Sequence, residues 1–154
     1  MSAWMSGAVR APAYRDAGLR QADRCLWIAS DLDEDYSPAL AARYCNATLK
    51  GVHLVVDLPT GEVAQMLPAE RRATYLPHDG IQVLVLRPVK TPEGLESQAL
   101  SALSGVFAWV RSLGVPDFWP HGPSTPFNQA PPGASGHYAF GDLHNALRSG
   151  THAR

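Results

Sequence analysis

Four side chains in the last quarter of this 154-residue chain have types that suit a metal site. His137, Asp142 and His144 fall within GHYAFGDLH, and His121 lies upstream of them. Imidazole nitrogen and carboxylate oxygen are zinc donors, and a hydrolytic zinc needs three such ligands around one open, water-bearing position. Gly141, between His137 and Asp142, would let the chain curl back on itself. The same histidines in a tail rich in Pro and Gly also fit solvated loop residues, or side chains that hydrogen-bond without metal. Spacing alone leaves all three readings open.

The other candidates are weaker. His53 alternates with apolar residues in GVHLVVD, the pattern of a partly buried histidine bonded to a carbonyl, with a catalytic role as the rarer alternative. Asp31, Asp33, Glu34 and Asp35 form an acidic run, but it has neither the positional glycine nor the terminal bidentate Glu of a calcium loop, so a solvated turn is expected. Cys25 and Cys45 make no CxxC pair and no disulfide framework, and read as two buried thiols. No GxGxxG, Walker, GxSxG or HExxH sequence occurs. The formal charge of −1 gives no general attraction to nucleic acid or to an anionic membrane. No apolar run is long enough to span a bilayer. Met1–Arg20 has no apolar segment bounded by a cleavage signal, so a chain made in the cytoplasm without a signal peptide is expected.

These side chains must be positioned by a small number of regular elements. Charged residues are 18% of the chain and Gly and Pro number 13 each, so long irregular segments are expected. Residues 1–23 read as an arm whose Trp4 and Tyr14 pack across the domain or onto a partner, and residues 24–154 as a single domain. Cys25–Ala29 is a short buried strand. Ser37-Pro38 is an N-cap followed by a first-turn proline. It opens a helix with Leu40, Ala41, Tyr44, Cys45 and Leu49 as the apolar stripe, and Gly51 lets that helix stop. Val52–Asp57 and Glu62–Leu67 alternate around LPTG as a β-hairpin. Ile81–Leu86 is apolar nearly throughout, as a central strand covered on both faces is. Pro68–Gly80 is a connector with one short helical turn. Thr91-Pro92-Glu93 opens the longest helix, with Leu95, Ala99, Ala102, Leu103, Val106, Val110 and Leu113 on one face and Gly114 as its stop. Asp117–Gly136 reads as an irregular aromatic loop, and GDLHNALRSG as a short closing helix. The fold class is α/β: a small mixed sheet of about four to five strands flanked by helices.

The run GVHLVVDLPTGEVAQMLPAERRATYLPHDGIQVLVL resembles the middle of the zinc-dependent N-acetylmuramoyl-L-alanine amidases, the family of phage endolysins and peptidoglycan recognition proteins. The matching stretches are VHLVVDLPTG for a His-bearing strand and D-x-x-G turn, EVAQMLP for the next strand, and RRATYLPHDG for the connector. GIQ, the helix from Pro92, and SGH with its following GD complete the order. The resemblance covers roughly residues 25–147 and implies an amidase-like fold.

The departures bear on chemistry. The family's first zinc-binding His belongs at the end of the first strand, where this chain has Ile28 and Ala29. The tyrosine that precedes the second-strand histidine is Val52, ahead of His53. The connector's W-H is Tyr75 with no adjacent His, although His78 follows. The strand glutamate that assists the metal-bound water falls on Gln82, which cannot collect a proton. His137 and Asp142 match two ligand positions, and a third would come from His121 or His144. The resemblance with these losses implies a non-catalytic amidase-like domain with no cofactor, serving a structural or cell-wall-binding role. Its partners would be peptidoglycan or proteins of a larger assembly such as a phage particle, with no nucleic acid and no membrane. The alternative is a zinc-dependent amidase that cleaves the lactyl amide of peptidoglycan with an unusual ligand set.

Overall fold

The computed structural model describes residues 3–29, 37–57, 60–86, 97–115 and 117–121. The acidic run Ser30–Asp35, the helix opening at Thr91–Glu93 and the closing helix lie outside them. The elements are β1 (Val9–Arg10), β2 (Arg24–Ala29), α1 (Pro38–Ala47), β3 (Leu54–Asp57), β4 (Glu62–Gln65), β5 (Ile81–Leu86), α2 (Ser97–Ser112) and β6 (Asp117–His121). They build one six-stranded mixed sheet in the order β1-β4-β3-β5-β2-β6. Strands β3, β5, β2 and β6 run parallel, and β4 turns back against β3 through the expected four-residue connection. β5 is central, as its apolar run requires.

Connection geometry decides where the helices go. The β2–α1–β3 crossover passes β5 in one direction, and β5–α2–β6 passes β2 in the other. Parallel crossovers are right-handed, so opposite directions put the two helices on opposite faces. Two core clusters record this. Leu103, Val106, Phe107 and Val110 of α2 pack on Cys25, Trp27, Leu54, Val56, Ile81 and Val83. Trp27 and Phe107 meet edge to face with centroids 5.5 Å apart. Ala41, Ala42 and Cys45 of α1 pack on Ile28, Val55, Ala64, Leu84 and Leu86. The two free cysteines are thus buried in different clusters on opposite sides of the sheet. Burial pushes the Cys45 thiol up to about 11 and Cys25 higher still.

Several expectations change. The α1 stripe is rotated: Pro38, Ala41, Ala42, Cys45 and Asn46 are buried, while Leu40 and Tyr44 keep 43% and 44% of their surface exposed. Small residues face the sheet because the helix lies close to it. The helix ends in a Schellman motif, with Lys50 N–H bonded to Cys45 O at 2.8 Å and Leu49 N–H to Asn46 O at 3.0 Å. Leu49, at φ 59°, takes the left-handed position assigned above to Gly51. Gly51 instead lies where an added Cβ would stand 3.1 Å from Ala13 Cβ. Gly114, at φ 79°, does follow the end of α2. The connector 68–80 has turns and bends but no helix among the described residues.

The two sheet edges come from segments read as irregular. Asp117–His121, with Pro120 inside it, is β6, because a parallel edge strand keeps one side free of ladder bonds and can hold a proline there. The arm supplies β1 and stays paired beyond it, through Ala11 N–H to Gln65 O and Ala13 N–H to Met66 O. Leu19 bridges Arg71, and Ala17 N–H bonds Arg72 O. No helix among the described residues is long and apolar enough to cross a membrane.

Candidate functional site

A parallel sheet whose crossovers diverge leaves a crevice at the carboxyl ends of its strands, at the point where the winding reverses. Here that point lies between β2 and β5, flanked by β3 and β6. Ile28 of β2 is paired with Leu84 on one side and His121 on the other. Ile28 is buried in the α1-side cluster, so the strand-end position of the expected metal ligand is filled by core packing. Asp57, the D of the D-x-x-G turn, is buried at the end of β3 beside Leu86. Its Oδ2 accepts the Thr60 hydroxyl at 2.6 Å and its carbonyl accepts Gly61 N–H at 2.8 Å, so it shapes the hairpin turn.

His53 and Gln82 are brought together, but at the amino ends of the same strands. Gln82 is in register with Leu26, two residues before Ile28, or roughly 7 Å along the sheet. Both side chains are fully buried. His53 Nδ1 accepts the Gln82 backbone N–H at 2.9 Å, so it carries no proton there. The proton is on Nε2, which donates to Arg71 O at 2.7 Å. Desolvation lowers the His53 pKa to about 4, against the small upward pull of the Arg71 carbonyl bond. At neutral pH the ring is therefore uncharged with both nitrogens committed.

The Gln82 side chain is equally occupied. Its Oε1 accepts Leu76 N–H at 3.1 Å, and its Nε2 donates to Leu76 O and His78 O at 3.2 and 2.9 Å. It pins the connector to β5. Around this hub, Asp79 accepts the N–H groups of Gln21 and Ala22, and Arg71 pairs with Asp16 at 3.0 Å. Burial pushes the Asp79 carboxyl up, but those N–H groups, that of Gly80 and Arg72 carry it net below its usual value. The Arg71 hydrogen bond and the Gly18 N–H do the same for Asp16.

Of the proposed ligands, His121 ends β6, while His137, Asp142 and His144 lie outside the described residues. Among the described residues no three His, Cys, Asp or Glu side chains converge as a metal site. The donor chemistry at Ile28, His53 and Gln82 does not suit zinc: one side chain is hydrocarbon, one has no free nitrogen, and one is an amide bonded to the backbone. Sequence reasoning missed the partners of this hub, Arg71 and Asp79, because a carbonyl acceptor and an Asx-type anchor leave no residue-type signature.

No family model and no curated protein matches the sequence. Solved structures do. The endolysin N-acetylmuramoyl-L-alanine amidase LysCS from Clostridium intestinale URNW superposes with a TM-score of 0.56 at 11% identity, covering 75% of this chain and 81% of that one. The N-acetylmuramoyl-L-alanine amidase LysC from the same organism gives 0.51 at 11% identity, covering 72% and 79%. A selenomethionine derivative of AmpD gives 0.57 at 13% identity, covering 94% and 96%. At such identities the likeness is one of fold: this chain has a small mixed sheet flanked by helices, built as in the endolysin and AmpD structures.

Proposed function

We propose that this chain is a non-catalytic domain of amidase fold that serves a structural or binding role on the cell wall or in a larger assembly, such as a phage particle. One observation carries the reading. His53 and Gln82, which resemble the family's second-strand histidine and strand glutamate, spend their polar atoms on the backbone of their own chain. A neutral imidazole with both nitrogens engaged neither ligates a metal nor takes a proton. A glutamine has no basic lone pair to offer water. What these residues do in this chain is hold the 68–80 connector against the sheet.

The test uses the full chain, dialysed against micromolar zinc, then freed of unbound metal. Less than stoichiometric zinc, no release of stem peptide from purified cell wall, and co-sedimentation with insoluble wall or a stable complex with an assembly protein would support the reading. Stoichiometric zinc with amide cleavage would overturn it. A monomer that sediments with neither wall nor partner would overturn the binding role.

A second reading is favoured by one feature, the register that sets His121 directly beside Ile28 at the strand-end position. In that reading the chain is a zinc-dependent N-acetylmuramoyl-L-alanine amidase with His121 in place of the missing ligand and with His137, Asp142 or His144 completing the set. Zinc would polarise the amide carbonyl and supply a hydroxide nucleophile. His121→Ala would then abolish zinc uptake, whereas in the non-catalytic reading it leaves metal content unchanged.

A further inference from the structure

The arm holds to the body of the domain at β4, and it does so on both faces of the sheet. Met5 and Ala8 pack on the α2-side cluster, whereas Ala11 and Ala13 pack on the α1-side cluster. Of the first pair only Met5 has a long side chain, and α2 has a gap for it. A Cβ added at Gly105, in the middle of α2, would stand 3.3 Å from Met5 Cε. Glycine inside a helix is disfavoured relative to alanine, and here it leaves the methyl room against bare backbone. Two bonds flank the thioether: Met5 N–H to Gln65 Oε1 at 2.6 Å and Ala69 N–H to Ala3 O at 2.9 Å.

A thioether is an apolar group that a peroxide turns polar. The chain has three methionines. Met66 is 1% exposed in the α1-side cluster and closed to solvent, while Met5 is partly exposed, so solvent reaches the contact between arm and helix. Met1 lies outside the described residues. Oxygen transfer from a peroxide forms an S=O bond on Met5 and breaks the O–O bond. The sulfur loses two electrons and the peroxide leaves as water or an alcohol. The backbone N–H groups of α2 beside Gly105 are spent on the helix ladder. The new oxygen therefore draws water into the contact, where burying an unsatisfied dipole is costly. The two cysteines offer no competing route, since burial raises their pKa values and keeps them as unreactive thiols.

We infer that Met5 is an oxidation-sensitive latch: a peroxide converts its thioether to the sulfoxide, which releases residues 3–8 from α2 while the sheet stays folded. This is independent of the non-catalytic reading, since neither Met5 nor Gly105 belongs to the His53 hub. The test treats the folded full chain with hydrogen peroxide and follows it by mass-resolved peptide mapping and residue-resolved hydrogen exchange. Met5 is expected to gain one oxygen well before Met66. The Met5 and Ala69 amides should then exchange about fivefold faster or more, with Val83 and Leu84 unchanged. A methionine sulfoxide reductase should reverse both changes. Met5→Leu keeps an apolar side chain of similar size and, with Met1 and Met66 still present, should show no change at Ala69 on peroxide treatment. Oxidation of Met66 as fast as Met5, a Met5 sulfoxide with unchanged exchange at Met5 and Ala69, equal acceleration at Val83 and Leu84, or an equal response in Met5→Leu would each overturn the assignment.

Discussion

His53 and Gln82 exchange two hydrogen bonds: the Gln82 backbone N–H donates to the imidazole Nδ1 of His53 at 2.9 Å, and the His53 backbone N–H donates to Gln82 O at 3.0 Å. The ring stands in for a carbonyl at the start of the β3–β5 ladder and carries the connection on to Arg71 O. His53→Ala would leave a buried N–H and a buried carbonyl unsatisfied, at about 1–3 kcal/mol each. His53→Gln, which can accept and donate at once, should recover part of the loss. Urea titration of both variants measures the difference. Equal midpoints for Ala and Gln would mean that ring packing, and not the bond pair, is what the site uses.

The same ring sets an acid limit. Burial holds the folded-state pKa at about 4, below the ordinary 6.5. Between those values the unfolded chain binds a proton that the folded chain excludes, so stability rises with pH across that window. The contribution is complete above about pH 6.5 and lost as pH falls toward 4, amounting to roughly 3 kcal/mol. Asp16 and Asp79, whose pKa values are lowered, also lose their contribution in acid. Subtracting the pH profile of His53→Gln isolates the histidine. A difference profile flat from pH 7 to pH 4 would refute the burial-driven shift.

Placing at position 82 the glutamate that the resembled amidases carry on this strand should not confer hydrolysis. In Gln82→Glu the Nε2 donor to Leu76 O and His78 O is replaced by a carboxylate oxygen facing two carbonyls. The new group must stay protonated or repel both acceptors, a loss of about 2–4 kcal/mol. Thermal unfolding should drop and wall hydrolysis should stay at background. A stable variant that releases stem peptide would mean that position 82 faces an intact site.

Leu49 offers a test with the opposite sign. A non-glycine residue at φ 59° pays roughly 1–2 kcal/mol of steric cost, and half its side chain is in water. Leu49→Gly relieves that cost while adding about 0.4–1 kcal/mol of unfolded-state entropy, leaving a net gain between about 0 and 1.6 kcal/mol. Leu49→Ala keeps the Cβ and gains nothing. Denaturation midpoints ordered Gly above wild type above or equal to Ala are expected, and the reverse order would show that the exposed leucine packs in a way worth more than its strain.

The contrast between what the sequence revealed and what it hid follows from periodicity. β3, β4, β5 and α2 were legible because alternation or three-to-four spacing is imposed by burying one face or both. The α1 stripe is half legible: Ala41 and Cys45 face the sheet as expected, but hydrophobicity also picks Leu40, Tyr44 and Leu49, where close helix-to-sheet approach selects the smaller Ala42. β6 was hidden by its proline, and β1 by its length of two residues. His53 and Gln82 were visible by position, yet their roles depend on Arg71, Leu76 and His78 carbonyls, which any residue type supplies. Gln65 was noticed only as part of a motif, although it holds the arm in place.

Gln65 gives the sharpest test of whether residues 3–13 belong to the fold. Its buried side chain accepts Met5 N–H at 2.6 Å and donates to Ala3 O at 3.0 Å and Leu67 O at 2.8 Å. Met5 in turn packs against the α2-side core, with its Cε next to Gly105. Gln65→Ala strands the Met5 N–H and the Leu67 carbonyl and leaves Ala3 O with only the Ala69 N–H, so the arm should open locally before the sheet does. Asn46→Ala makes a second cut farther along, since Asn46 accepts Tyr14 N–H at 2.8 Å and donates to Pro12 O at 2.9 Å. Residue-resolved hydrogen exchange should then show faster exchange at Met5 and Ala69 in Gln65→Ala, faster exchange at Tyr14 in Asn46→Ala, and unchanged protection at Val83 and Leu84 in both. Uniform acceleration across β5 would mean that the arm and the sheet unfold as one unit, and that the arm holds by strand pairing and apolar contact without these two amides.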